Sequence, residues 1–193
     1  MKKFISLFLI LLMLAALGCT QRKIAANNSG GFVHSELNNA PNWVRAPNYE
    51  GGIAAIGSQK IGAAGIDITR KNAIASARDS LANSIEIKVK NVIKNTTKSS
   101  GICSDETVDR VSEHTSKQTS FQLLRGSRHV DTWISPSGEL YTLVVIGELE
   151  KVKNTVRSNS ISSFKKESAL WQQFQANKAF KELDREIDRE FGN

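Results

Sequence analysis

Residues 72–90, NAIASARDSLANSIEIKVK, carry the pattern that decides the fold of this 193-residue chain. Apolar side chains recur in and just beyond this segment at steps of three and four, at Ile74, Ala77, Leu81, Ile85, Val89 and Val92. This spacing predicts an amphipathic helix of about six turns. Upstream, Asp67 and Thr69 offer oxygens that can cap its first turn. Residues 85–89 also alternate as in a strand, but the longer stripe runs through them, so the sequence favours a helix.

Three further segments predict a small sheet. Residues 51–58, GGIAAIGS, form a short apolar run bounded by glycine, which favours a buried strand. Residues 128–134, RHVDTWI, are rich in strand formers, and residues 135–138, SPSG, have the composition of a tight turn. Residues 140–146, LYTLVVI, are apolar on both faces apart from Thr142, which predicts a central strand covered by a helix.

The rest of the chain predicts additional helices separated by polar breaks. Residues 95–104 predict a polar turn, and residues 105–122 predict a second, weaker helix. Residues 148–156 predict a third helix, which a serine-rich break at residues 158–163 would end. The last predicted helix is amphipathic, and its apolar stripe contains Trp171, Phe174, Phe180, Leu183 and Ile187. Its surface would carry two ion pairs, Lys178 with Glu182 and Arg185 with Asp188.

The first 19 residues, MKKFISLFLILLMLAALGC, have the composition of a secretory leader. Two lysines precede an apolar run over residues 4–17. This run is shorter than the roughly 20 residues that a membrane-spanning helix needs, so the sequence predicts a signal peptide.

The end of this leader, Ala16-Leu17-Gly18-Cys19, resembles the lipobox of bacterial lipoproteins. The resemblance implies cleavage between Gly18 and Cys19 and acylation of Cys19 by fatty acids such as palmitate. The alternative is a plain secretory leader with a coincidental cysteine. Two or more acyl chains anchor a protein stably to a bilayer. Because Thr20 is not the aspartate usual for inner-membrane retention, the resemblance implies the outer membrane, on its periplasmic or surface face.

These patterns divide the chain into four predicted parts. Residues 1–18 are the signal peptide, and residues 19–40 contain the lipidated cysteine and a polar, non-periodic tether. Residues 41–157 form an α+β lipoprotein domain, and residues 158–193 form a C-terminal amphipathic helix. The predicted fold is a long helix packed on a small antiparallel sheet of about three strands, with the additional helix after it.

Charge and cysteine content restrict the classes of partner. The formal charge is +7, and loss of residues 1–18 leaves 24 basic and 19 acidic residues, or +5. The basic residues are scattered, so the sequence predicts contact with anionic envelope surfaces and not with nucleic acid. Cys103 is the cysteine that remains beside an acylated Cys19, so no intramolecular disulfide is predicted. Cys103 is either a small loop residue or the site of an intermolecular disulfide.

The sequence contains no recognisable catalytic or metal-binding motif. His34, His114 and His129 lie in unrelated contexts without metal-ligand spacing, so neither a metal nor a cofactor is predicted. His129 and Asp131 would share one face of a strand. They form either a base with its orienting carboxylate or part of a solvated hairpin face.

Several segments together resemble the LPP-twenty family of bacterial outer-membrane lipoproteins, over residues 40–152. These are APNWV at 40–44, GGIAAIG at 51–57, the helix at 72–90 and RHVDTWISPSGELYTLVVI at 128–146. The resemblance implies an α+β domain with a helix on a small antiparallel sheet. Family members include surface antigens and flagellum-associated lipoproteins, some of which build a disk around the motor, and they are not known as enzymes.

Three functional hypotheses remain open at this point. The first is a non-enzymatic lipoprotein with a structural or interaction role, whose partners are the bilayer, through Cys19, and a second copy or another envelope protein. The second is an envelope binding module for peptidoglycan or a small apolar ligand, with Trp43 and Trp133 as contacts. Trp171 and Phe174 are further candidate contacts with a partner or ligand. The third is a secreted hydrolase, for which no nucleophile and base pair is found.

Overall fold

A computed structural model describes residues 36–102 and 106–192 of the chain. Its elements confirm the predicted α+β class, with a three-stranded antiparallel sheet and six helices in the described residues. In chain order they are α1 (Asn42–Arg45), β1 (Ile53–Lys60), α2 (Gly65–Ser99), α3 (Glu106–Leu124), β2 (Arg128–Ile134), β3 (Glu139–Ile146), α4 (Leu149–Lys166), α5 (Ser168–Ala176) and α6 (Phe180–Phe191).

The sheet has the order β1-β3-β2, so the apolar strand β3 is central, as its sequence predicts. Ile53 of β1 pairs with Ile146, and Lys60 pairs with Glu139 at the other end. Thr142 interrupts the apolar run and is fully buried. Its hydroxyl donates a hydrogen bond to the Gly57 carbonyl oxygen, 3.4 Å away. A central strand buried on both faces requires a covering layer on each side of the sheet.

Helix α2 covers the first face of the sheet and crosses β1 at very close range. A Cβ atom at Gly57 would lie 2.3 Å from both the Ala73 carbonyl oxygen and the Ala77 nitrogen. Ala73 and Ala77 are themselves completely buried. The small residues on both elements therefore let the backbones of strand and helix touch.

The buried stripe of α2 follows the predicted spacing with one change. Ala77, Leu81, Ile85, Val89 and Val92 are all fully buried. Ala73 takes the place predicted for Ile74, which is only partly buried. The predicted first-turn cap is wrong, because no side chain caps the helix and the Thr69 hydroxyl donates instead to the Gly65 carbonyl, 2.9 Å away.

The polar turn predicted for residues 95–104 is wrong over its first half, because α2 continues to Ser99. Thr96 and Thr97 are fully buried. The Thr97 hydroxyl donates to the Ile93 carbonyl at 3.1 Å, which satisfies its polar atom within the helix. Burial against neighbouring helices thus overrides the turn-like composition.

The predicted serine-rich break at residues 158–163 is also wrong, because α4 runs through it without interruption. Ser160 and Ser163 are buried, and α4 packs against α3. The Asn159 amide spans this contact, donating to the Thr119 hydroxyl at 3.0 Å and to the Gln122 side chain at 3.1 Å. Small hydroxyl side chains allow these two helices to approach closely.

Residues 158–193 contain the end of α4 and two further helices where one helix was predicted. Lys178, at φ 51°, separates α5 from α6. Leu183, Ile187 and Phe191 of α6 are buried, and α6 packs on α2 and α4. The predicted pairing of the C-terminal charges is wrong: Arg185 pairs with Glu182 and Asp188 pairs with Lys153 at 3.0 Å.

We expect Gly57→Ala to destabilise the domain, because its new methyl group would collide with the backbone of α2. Overpacking of this kind costs about 1–3 kcal/mol or more. Gly62→Ala is the matched control, since a Cβ there meets no atom within 4 Å. Urea unfolding followed by circular dichroism would measure both changes. Equal midpoints for the two variants would contradict the close contact.

Candidate functional site

The second face of the sheet is covered by residues 36–52, here called the N-terminal strap. Alternation along β3 points Leu143 and Val145 to the face opposite α2, and both are buried. Val44 of α1 is buried as well, and α1 contacts β3. The family-like APNWV segment therefore serves as one of the two covering layers of the sheet.

Polar contacts fasten the strap at both of its ends. At one end, the Ser137 hydroxyl and backbone N–H both donate to the Glu36 carboxylate. The hydroxyls of Ser135 and Ser137 hold the pKa of Glu36 below its ordinary value. At the other end, Arg128 donates to the Tyr49 hydroxyl at 2.5 Å.

Trp43 and Trp133, predicted as possible ligand contacts, both take part in packing on this face. The Trp43 indole N–H donates to Asp131 Oδ2 at 2.9 Å. The Trp133 ring lies 5.5 Å from the Tyr141 ring, and burial raises the pKa of Tyr141. Both tryptophans are half-buried. Each therefore contributes to the packing of this face with part of its surface.

Trp171 and Phe174 belong to an aromatic cluster inside the helical layer. Phe174 stacks on Phe164 with ring centres 4.7 Å apart and on Trp171 at 5.6 Å, and Phe180 meets it edge-on at 4.8 Å. Phe174 is fully buried in this cluster, and its predicted role as a contact for a partner or ligand stays a prediction. Trp171 is partly exposed, with the Lys165 ammonium 5.3 Å from its ring centre.

His129 and Asp131 do not form a pair, although the sequence places them two residues apart. A β-bulge lies between them, so His129 pairs with Val144 and Asp131 with Leu143. The extra residue puts the two side chains on opposite faces of the strand. His129 Nε2 lies 2.8 Å from the Thr132 hydroxyl, whereas Asp131 accepts from Trp43.

The predicted cleavage and lipidation residues, Gly18 and Cys19, lie outside the described residues, as do His34 and Cys103. Within residues 36–102 and 106–192, no group of three or more His, Cys, Asp or Glu side chains could hold a metal ion. The same two ranges contain no helix that is both long and apolar enough to cross a bilayer.

An open cleft of about 700 Å³ lies at one end of the sheet. It forms where β3 ends and where β1 and β2 begin, and we call it the arginine cleft. Leu123, Ile146 and Val152 form its apolar floor. The charged and aromatic residues that line it are Tyr49, Glu50, Arg125, Arg128, Glu148 and Lys151.

Sequence reasoning missed this cleft because its walls come from three separate parts of the chain. The strap, the connection from α3 to β2 and the connection from β3 to α4 each contribute. The tight turn between α3 and β2 brings Arg125 and Arg128 into one wall, with the Gly126 N–H donating to the Leu123 carbonyl at 2.9 Å. Residues 124–128, LRGSR, are the sequence signal that could have drawn attention to it.

Comparison with known protein families identifies the class of this chain. The family model described as LPP20 lipoprotein matches residues 41–147, more than half of the 193 residues. The chain therefore belongs to the LPP20 lipoprotein family, the family that its sequence resembles. The matched region holds α1, all three strands, α2 and α3. No curated protein matches the chain significantly.

We expect the Trp43–Asp131 hydrogen bond to stabilise the strap on the sheet. Trp43→Phe and Asp131→Ala should each lower stability, and the double variant should lose less than the sum of the two. The coupling should be about 0.5–1.5 kcal/mol, the range of a single hydrogen bond. Trp171→Phe, whose ring lies in a different cluster, should add independently to Asp131→Ala. Denaturant unfolding of the variants measures the cycle, and a coupling of zero would remove this role for Trp43.

Proposed function

We propose that this lipoprotein is a non-enzymatic component of the cell envelope, anchored to the outer membrane by acylated Cys19. The observation that carries the proposal is the agreement between the family match and the leader ending in Gly18-Cys19. An anchor of two or three acyl chains suits a protein whose work is to hold a surface in place. The folded domain would supply that surface, in a structural or interaction role.

The position of the strap supports this arrangement. Residues 19–35 separate the proposed anchor from Glu36, and a chain of that length spans at most about 60 Å. Glu36 is bound at the turn between β2 and β3, so the first described residue of the domain lies at that end of the sheet. A pull on the tether would thus act on the strap, which both Trp43 and Tyr49 fasten further along.

The alternative function, an envelope binding module, was predicted to contact its ligand through Trp43 and Trp133, and both side chains are engaged within the fold. Trp43 has its indole N–H engaged by Asp131, and Trp133 packs on Tyr141. A sugar-binding platform requires exposed ring faces. Co-sedimentation of the Cys19→Ser variant with purified peptidoglycan at low salt would nevertheless support the envelope binding module.

Replacement of Cys19 tests the anchor. We expect Cys19→Ser to move the protein from the membrane fraction to the soluble fraction and to abolish incorporation of labelled palmitate. Cys103→Ser is the matched control, because it removes the other cysteine of the chain and should leave both properties unchanged. Fractionation on a density gradient then shows in which membrane the wild-type protein resides. Membrane association of Cys19→Ser equal to that of the wild type would overturn the anchor.

Deletion of the gene tests the more specific role at the flagellar motor, which rests on the family analogy alone. We expect slower swimming and a changed motor structure in tomograms of the deletion strain. Restoration by the wild-type gene, but not by the Cys19→Ser gene, would tie the role to the anchor. Normal swimming and a normal motor would remove the flagellar role and leave the anchor intact.

A further inference from the structure

Two guanidinium groups of the arginine cleft are positioned by aromatic rings. The Arg125 guanidinium carbon lies 4.7 Å from the centre of the Phe121 ring. The Arg128 guanidinium carbon lies 5.5 Å from the centre of the Tyr49 ring, and its side chain also donates to the Tyr49 hydroxyl. Cation–π contacts orient an arginine without neutralising its charge.

The charges of Arg125 and Arg128 lack a carboxylate partner among the described residues. Other arginines in the described part of the chain form close ion pairs. Arg157 lies 2.7 Å from Asp184, and Arg189 lies 2.6 Å from Glu186. Lys151, the third cation of the cleft, pairs with Glu148 at 3.5 Å. The two arginines therefore leave a positive potential at the cleft wall that an anion can neutralise.

The floor of the cleft is apolar. Leu123, Ile146 and Val152 line the same cleft as the arginines, and each is at most 6% exposed. A volume of about 700 Å³ falls in the range of small-molecule sites. A ligand that fills the cleft would therefore place an apolar group on the floor and its charge at the wall.

The balance of charge favours a single negative group. Arg125, Arg128 and Lys151 face Glu50 and Glu148 around the cleft, which leaves one net positive charge. One carboxylate would neutralise this excess, and a guanidinium fork binds a carboxylate through two parallel hydrogen bonds.

We propose that the arginine cleft binds a carboxylate carried by an apolar group. Arg125 and Arg128 bind the carboxylate, and the floor at Leu123, Ile146 and Val152 receives the apolar part. Two sources share this chemistry, the carboxyl terminus of a peptide and a short fatty acid. The site goes beyond the anchoring role and does not depend on it.

The test is an NMR titration of the isotope-labelled chain from residue 19 onward, carrying Cys19→Ser so that no lipid is attached. The probe is N-acetyl-leucine, and its neutral amide, N-acetyl-leucinamide, is the matched control ligand. Acetate tests the carboxylate without the apolar part. We expect saturable shifts of the Gly126 and Gly147 amides with N-acetyl-leucine, and about tenfold weaker binding of the amide and of acetate.

Variants of the two arginines test whether their positive charges bind the carboxylate. Arg125→Gln and Arg128→Gln should each weaken binding of N-acetyl-leucine about tenfold or more, because each removes a charged hydrogen-bond donor. Arg70→Gln makes the same change on α2, away from the cleft, and should leave the affinity unchanged. The dispersion of the spectra shows directly that each variant is folded.

A hexanoate titration separates the two sources. Binding as tight as that of N-acetyl-leucine supports the fatty acid, and weaker binding supports the peptide terminus. Equal affinity for N-acetyl-leucine and its amide would overturn carboxylate recognition, and equal affinity for acetate would overturn the role of the floor. Binding that survives both arginine substitutions, or the absence of any saturable shift, would overturn the site.

Discussion

The backbone contact between Gly57 of β1 and the Ala73–Ala77 turn of α2 is the constraint on which the rest of the domain depends. A small sheet must bury its apolar faces against other packed elements. The contact places α2 so close to β1 that a Cβ atom at Gly57 would lie 2.3 Å from the helix backbone. Because α2 extends far beyond the sheet, its remaining length becomes the support on which α3 and α6 pack. Sheet and helical layer thus share one long element.

The same contact explains why the N-terminal strap is needed. With α2 on one face, the central strand still carries Leu143 and Val145 on the other, and both would be exposed without a second cover. Trp43 and Val44, both in the short helix α1, supply that cover. The strap is bound to β2 by Trp43 and Tyr49, so the edge strand is held from the outer face as well as by its pairing with β3.

Elements governed by local periodicity could be predicted from the sequence, and those governed by tertiary context could not. The stripe of α2, the hairpin of β2 and β3, and the central place of β3 follow from spacing and turn composition. Residues 95–99 and 158–163 have the composition of turns, yet burial places them inside helices. The hydroxyl of Thr97 bonds to its own helix, which removes the usual cost of burying it. The β-bulge before Asp131 likewise has no local signal, and it separates a histidine and a carboxylate that alternation alone would place together.

The site illustrates the same division between local and tertiary information. Cys19 is predicted from a local pattern, whereas the arginine cleft exists only because folding brings three distant segments to one end of the sheet. That end is opposite the turn where Glu36 is bound, and β3, with eight residues, separates the two by roughly 25 Å. Since the strap contributes Tyr49 to the cleft and Glu36 to the opposite end of the sheet, a single segment connects the two ends. A ligand that bound at Tyr49 in the folded state alone would therefore also stabilise the strap.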